Sequence, residues 1–205
     1  VLNTRPREQG AALSAALRAA GHEPLELPLV ELRLLDDALR LLDKLTPDLY
    51  DGILLTSPNL LPLLRSAGRD VPAAWRSRPW YLVGPRARGD VEALGVRVAF
   101  VPEERSLEGF LREFPRPART LRLIHPCSAK THLEPALFLG AGLDVHNMAL
   151  YEPRCPEGVA DAAAALWPRV QAVLFASGSA VHHLFGAAPK LARTLDADGP
   201  RAVSI

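Results

Sequence analysis

Short apolar runs that end in polar turns recur along this chain and predict most of its elements. The run Ile53–Leu55 lies between Asp51-Gly52 and Ser57-Pro58-Asn59, which predicts a buried parallel strand over residues 52–56. Leucines at 60, 61, 63 and 64 then predict a helix over residues 60–67. Backbone N–H groups have no partners where a helix begins, so a turn of this kind suits an anion.

The same pattern returns later in the chain, so part of the sequence is duplicated. Residues 170–179 repeat the strand and the polar turn, and residues 180–185 repeat the apolar helix face. A second repeat relates residues 1–30 to residues 121–150. In that copy we predict a polar turn at His125–Lys130, a helix at Thr131–Leu139 and a strand at Asp144–Leu150. Alternating strands and helices predict an α/β fold with parallel sheets and right-handed crossovers.

The order of the repeats predicts two lobes, because the chain leaves the first lobe early and returns to it late. We expect residues 1–30 and 153–205 in the first lobe and residues 34–149 in the second, with residues 31–33 and 150–152 as linkers. Ligands bind at the carboxyl ends of parallel strands, so the polar turns are expected to face a cleft between the lobes.

The end of the first lobe differs from its counterpart. The strand predicted over residues 80–83 is repeated at 202–205, but no helix follows the second copy. We therefore expect a further strand–helix portion beyond Ile205.

Composition excludes several classes of function. A formal net charge of +1 gives no global field for nucleic acid or an anionic membrane. No apolar run approaches the roughly 20 residues that a spanning helix needs. Cys127 and Cys155 match no redox spacing, so a cytoplasmic protein is expected. His125, Cys127 and His132 lie close together but match no zinc spacing, so no metal is expected.

A set of short motifs occurs in order along the whole chain: Thr4-Arg5-Pro6, Leu55-Thr56-Ser57-Pro58-Asn59, Val83-Gly84-Pro85, Ser106-Leu107-Glu108, Leu150-Tyr151 and Phe175-Ala176-Ser177. This ordered set resembles the uroporphyrinogen-III synthase family. The resemblance implies two flavodoxin-like lobes with parallel sheets, joined by a two-stranded linker around an interlobe cleft. It also implies a cofactor-free monomer that closes linear hydroxymethylbilane and inverts its last pyrrole through a spiro intermediate. A transient contact with the preceding enzyme of tetrapyrrole synthesis would accompany that role.

One turn departs from the family pattern. The usual Gly-Pro-x-Thr-Ala turn is replaced here by Gly84-Pro85-Arg86-Ala87-Arg88. A hydroxyl donor is lost and two guanidinium groups are gained.

The implied substrate is a polycarboxylate, whereas the protein is nearly neutral, so binding is expected to depend on local donors. The candidate substrate-binding residues all follow the ends of predicted strands: Arg5, Thr56, Ser57, Asn59, Gly84, Arg86, Ser106, Lys130, Ser177 and Ser179. Helix capping is the alternative role for the hydroxyl residues, and solvated surface is the alternative for the arginines.

Tyr151 is the candidate catalytic residue, because the resemblance places a tyrosine at the re-entry to the first lobe. Its phenol can donate a proton to the departing hydroxyl, or its ring can pack beneath the linker. The chain shows no nucleophile–base pair, which fits a reaction that depends on holding a reactive substrate.

Two other functions remain open at this point. A two-lobed sensor would bind a small anion without chemistry. Another transferase or lyase with a phosphate ligand would need a glycine-rich cradle, and Gly84-Pro85-Arg86 is a poor one.

Overall fold

The computed structural model describes residues 1–44, 49–131, 133–197 and 199–205. The chain divides into two compact units. The first unit comprises Val1–Leu32 and Pro153–Ile205, and the second comprises Arg33–Glu152.

Ten strands are present in the described ranges. In chain order they are β1 (Leu2–Asn3), β2 (Leu25–Glu26), β3 (Glu31–Leu34), β4 (Gly52–Leu55), β5 (Trp80–Leu82), β6 (Val98–Phe100), β7 (Leu121–Ser128), β8 (Leu143–Arg154), β9 (Ala172–Phe175) and β10 (Arg201–Ser204).

Ten α-helices are present in the same ranges. They are α1 (Arg7–Ala19), α2 (Asp36–Lys44), α3 (Leu60–Ser66), α4 (Ala73–Arg76), α5 (Arg88–Ala93), α6 (Leu107–Glu113), α7 (Ala136–Leu139), α8 (Val159–Leu166), α9 (Gly178–Ala187) and α10 (Pro189–Ala192). Among the helices of the described ranges, none has the length and apolar content needed to cross a bilayer.

Two sheets organise these elements. One sheet has the order β10-β9-β1-β2, and the other has the order β3-β8-β7-β4-β5-β6. The pairs of β4 with β5, of β4 with β7 and of β7 with β8 are all parallel. The α/β class with parallel sheets, predicted from the sequence, is therefore confirmed. Residues 31–33 and 150–152 lie within β3 and β8, and their linker role stays a prediction.

Each unit has a core built from the apolar faces that the sequence pattern indicates. In the first unit, Leu2, Val173 and Leu184 are fully buried in one cluster. In the second unit, Leu54 and Phe110 are fully buried in another. Burying one such side chain contributes about 1.5–3 kcal/mol.

Gly52, the first residue of β4, allows a close approach of two strands. A Cβ atom at this position would lie 2.6 Å from the carbonyl oxygen of Pro79. Only glycine fits there, and the beginning of β4 is fixed against the segment that leads into β5.

Part of the second repeat was predicted wrongly. The predicted polar turn His125–Lys130 lies largely in a strand, since β7 continues through Ser128. Among the described residues of the helix predicted over 131–139, only the short α7 is helical. Pro126 lies inside this strand although proline interrupts a strand ladder. The β4 ladder pairs with Leu123 and Ile124, whereas Pro126 lies past those pairs and is matched with Met148 on the β8 side.

Candidate active site

The carboxyl ends of β4, β5 and β6 meet at one edge of the second sheet, because these strands are parallel. A cavity of about 280 Å³ lies at this edge. Its lining comes from three separate segments: Leu55, Thr56, Ser57 and Pro58 after β4; Val83, Gly84, Pro85, Arg86 and Ala87 after β5; and Arg105 before α6. The structure thus brings together four of the predicted site residues.

Two arginines make this cavity cationic. Arg86 and Arg105 are exposed, and neither has an acidic partner among the described residues. Their neighbours behave differently, because Arg88 pairs with Glu92 at 2.8 Å and Arg112 pairs with Glu104 at 2.7 Å. The described lining contains no carboxylate, so the two guanidinium groups favour an anionic ligand.

Thr56 is held by a buried imidazole. His125 has no exposed surface, and its Nε2 atom lies 2.8 Å from Thr56 Oγ1. The other ring nitrogen, Nδ1, lies 2.8 Å from Asn147 Oδ1. The β7–β8 register pairs His125 directly with Asn147, so the strand alignment itself creates this contact. Burial lowers the pKa of His125, and the hydrogen bond with Asn147 partly opposes that shift.

Ser57 is held by the candidate catalytic residue. Tyr151 is 3% exposed and forms a side-chain hydrogen bond with Ser57. Burial raises the pKa of the Tyr151 phenol, and the Ser57 hydrogen bond lowers it by a smaller amount. The phenol therefore keeps its proton at neutral pH, as a proton donor must.

A β-bulge in β8 places Tyr151 beside Ser57. Cys127 pairs with Ala149, but the next residue, Ser128, pairs with Tyr151 and passes over Leu150. A bulge interrupts the two-residue alternation of a strand. As a result, two successive residues, Leu150 and Tyr151, are both buried.

The other predicted residues of the second unit have simpler surroundings. The backbone N–H of Asn59 donates to Ser57 Oγ at 3.3 Å. Ser106 Oγ accepts from Gly109 N at 2.9 Å and donates to Glu104 at 2.7 Å, so it caps α6. Lys130 is exposed just after β7. Gly84 has an extended backbone with open space at its Cβ position, so its geometry does not require glycine.

Arg5, Ser177 and Ser179 belong to the first unit. Arg5 follows β1, its N–H donates to Asn3 Oδ1 at 3.1 Å, and its buried Nε atom has no partner in the described part of the chain. Ser177 caps α9 by accepting from Ala180 N at 3.3 Å. A cavity of about 660 Å³ adjoins this cap, and its lining includes Val181, Phe185, Arg193, Asp196 and Ser204.

The residues considered as possible metal ligands, His125, Cys127 and His132, lie on and after β7. In the described ranges, no group of three or more His, Cys, Asp or Glu side chains could hold a metal ion. His132 lies outside the described residues.

Two residues of this site were missed at the sequence level. Arg105 stands in a charged stretch and is indistinguishable there from a surface arginine, although its place directly before the Ser106-Leu107-Glu108 motif was an available signal. His125 was interpreted as part of a turn, and its contact with Asn147 depends on a strand register that the sequence does not display.

Comparisons with known proteins agree on one family. The family model for uroporphyrinogen-III synthase HemD matches residues 11–205. A uroporphyrinogen-III synthase from Synechococcus elongatus is 26% identical, over 78% of this chain and 63% of that protein. The chain thus spans less than two thirds of the length of this curated relative.

Two solved structures share the fold. The uroporphyrinogen-III synthetase of Helicobacter pylori 26695 has a TM-score of 0.61 at 16% identity, covering 90% of this chain and 78% of the other. A mutant uroporphyrinogen III synthase from Thermus thermophilus has a TM-score of 0.51 at 20% identity, covering 99% and 82%.

Proposed function

Because this chain belongs to the uroporphyrinogen-III synthase HemD family, we propose that it converts hydroxymethylbilane to uroporphyrinogen III, inverting the last pyrrole ring through a spiro intermediate. The chain is then a lyase of tetrapyrrole biosynthesis. The observation that carries this proposal is the pair Arg86 and Arg105 on one cavity, beside the hydrogen-bonded Ser57 and Tyr151.

In this proposal the two arginines bind carboxylates of the substrate. Hydrogen bonds to charged groups contribute about 1.5–3 kcal/mol each, and guanidinium matches carboxylate geometry. The N-terminus of α3, the helix that follows β4, attracts a carboxylate less strongly. This helix has only 7 residues, and a short helix carries little aligned dipole. Side chains therefore supply most of the positive charge at this edge, and Arg86, at the variable position of the Gly-Pro-x-Thr-Ala turn, contributes directly.

Tyr151 acts as the general acid. Its phenol donates a proton to the hydroxyl of hydroxymethylbilane while the carbon–oxygen bond breaks, so that the group leaves as water. Ser57 orients the phenol through their hydrogen bond. The remaining work is positioning. When the last pyrrole is held turned over, the new bond forms at the α-carbon that already carries the bridge to its neighbour, which gives the spiro intermediate; that older bond then breaks and re-forms at the free α-carbon.

The first unit contributes contacts of the same kind. Arg5, Ser177 and Ser179 follow β1 and β9, and they would bind further carboxylates or pyrrole groups of the same molecule. Asn59, Gly84, Ser106 and Lys130 complete the proposed set in the second unit. An interlobe cleft and lobe motion about the linkers stay predictions, as do a monomeric state, a cytoplasmic location and a transient contact with the preceding enzyme.

Product isomer analysis tests this function. Hydroxymethylbilane is generated enzymatically, the protein is added, and the isomers are separated by chromatography after oxidation. We expect uroporphyrinogen III in excess of the isomer I that forms unaided. Isomer I alone, at the uncatalysed rate, would refute the proposal, and anion binding in the same sample would then favour the sensor function.

A further inference from the structure

The buried imidazole of His125 connects the cavity to the interior of the second sheet. Both ring nitrogens have partners, Thr56 Oγ1 on one side and Asn147 Oδ1 on the other, each at 2.8 Å. The ring itself has no exposed surface. A histidine held in this way has one fixed ring orientation.

The hydrogen-bond network assigns the tautomer of His125. Asn147 Nδ2 donates to the carbonyl oxygen of Leu133 at 2.7 Å, so Oδ1 is the Asn147 atom that faces the ring. An amide oxygen only accepts, and His125 Nδ1 must therefore carry the proton. Burial keeps the ring neutral, since it lowers the pKa of His125.

The tautomer determines what Thr56 can offer to a ligand. With its proton on Nδ1, the neutral ring has a lone pair at Nε2, and the Thr56 hydroxyl donates its only proton there. Thr56 lines the cavity, and its side-chain oxygen has only acceptor capacity left to offer a ligand. Arg86 and Arg105, in contrast, only donate. The cavity thus presents one hydroxyl acceptor beside two strong donors.

We propose that His125 is a positioning residue: with Asn147 it holds the Thr56 hydroxyl as an acceptor, and Thr56 accepts a hydrogen bond from a pyrrole N–H of the substrate. This inference rests on the proposed function, which supplies a ligand with both carboxylates and pyrrole N–H groups. Carboxylates have no proton that they could donate to Thr56, so they bind to the arginines instead. A carboxylate bound by the arginines and a pyrrole N–H bound by Thr56 would together fix the orientation of one pyrrole ring in the cavity.

The tautomer is tested first, by nitrogen NMR of the full chain labelled with ¹⁵N-histidine. We expect His125 to show a protonated Nδ1 and an unprotonated Nε2, assigned by the signals lost in His125→Gln. Asn147→Leu removes the acceptor and should move the proton to Nε2, whereas Asn147→Asp should retain it on Nδ1. A wild-type ring protonated at Nε2 would overturn the proposal without any activity measurement.

The ligand contact is tested next, by kinetics of the same variants. Asn147→Leu should raise KM about tenfold, the effect of one lost hydrogen bond, and leave kcat within about threefold. Asn147→Asp should restore KM. The control is His146→Gln. His146 directly precedes Asn147 on β8, but its side chain contacts Asp144. Thermal unfolding of each variant separates a lost fold from a lost contact.

Failures of the two proposals are distinguishable. A protein that makes uroporphyrinogen III, but whose KM is unchanged in Asn147→Leu despite the shifted proton, would overturn the pyrrole contact alone. Binding of uroporphyrinogen III, measured by calorimetry, gives the same comparison without turnover. A wild-type protein that neither reacts nor binds this product would overturn the proposed function and the pyrrole contact together.

Discussion

The two units contain the same local turn, a Thr-X-Pro sequence that directly follows a strand. The first turn is Thr4-Arg5-Pro6 after β1, and the second turn is Thr56-Ser57-Pro58 after β4. Thr4 is 1% exposed and donates to the main-chain oxygen of Leu174 at 2.6 Å. Thr56 is half-buried, lines a cavity and contacts the side chain of His125.

This difference shows how one turn can serve structure in one place and chemistry in another. A main-chain partner, as for Thr4, is present whatever the sequence, so the first turn fastens two strands. A side-chain partner, as for Thr56, can be protonated, replaced or reoriented. The second turn also has a phenol beside its middle residue, since Ser57 contacts Tyr151.

The largest effect is expected from Tyr151→Phe, which would remove the proton donor beside the second turn. The ring packing is kept and the donor is lost, so kcat should fall about 10²–10⁴-fold while the fold persists. Steady-state kinetics with isomer analysis measure this. Tyr50→Phe is the control, because Tyr50 packs against His146 outside the cavity. A Tyr151→Phe protein within about threefold of the parent would leave Tyr151 a packing residue.

The arginines beside the second turn should have the next largest effect. Arg86→Ala and Arg105→Ala should each raise KM about 10–100-fold, because each removes a charged hydrogen bond to a carboxylate. Arg88→Ala is the matched control, since Arg88 already pairs with Glu92. If all three variants raised KM equally, the effect would reflect general positive charge and not the cavity. Measurements at low and high salt would detect that case.

Removing each threonine hydroxyl in turn should separate the two turns. Thr4→Val leaves a buried carbonyl short of a donor and should lower the free energy of unfolding by about 1–3 kcal/mol. Thr56→Val should also lower the free energy of unfolding, because it leaves the buried Nε2 of His125 without a donor, and it alone should raise KM. Denaturant unfolding and kinetics on both variants show whether KM separates the two turns in this way. Equal losses of stability with unchanged KM would make the turns equivalent.

The smallest effect is a pH dependence that only the second turn should have. Burial lowers the pKa of His125 from its usual 6.5, so the unfolded chain binds this proton more tightly than the folded protein. The stability from His125 is therefore complete above pH 6.5 and is lost as pH falls from 6.5 toward the lowered pKa. Unfolding of the wild type and His125→Gln at several pH values should show a shallower acid dependence in the variant. Identical slopes would exclude the shift.

Much of the candidate site was accessible from sequence because it follows strand ends. Thr56, Ser57, Gly84 and Arg86 were predicted from turn chemistry and from the resemblance, and they line one cavity. Parallel strands bring their carboxyl ends to one edge whatever their lengths, so this grouping needs no knowledge of register.

The missed features depend on register and on long-range contacts. His125 meets Asn147 only because β7 pairs with β8 in one alignment, and it meets Thr56 only across the neighbouring strand. The continuation of β7 past Pro126 depends on where the β4 ladder stops. Local patterns of apolar and polar residues carry no information on either point.

The bulge at Leu150 has a consequence for how this site can be inherited. Side chains along β8 alternate between the two faces of the sheet, and the bulge shifts this alternation by one residue. Odd-numbered residues before and after the bulge therefore lie on opposite faces. The location of the phenol is therefore encoded in the path of the main chain and not in any neighbouring side chain. Upstream substitutions can accumulate without moving Tyr151, whereas the loss of a single residue from β8 would move it to the opposite face at once.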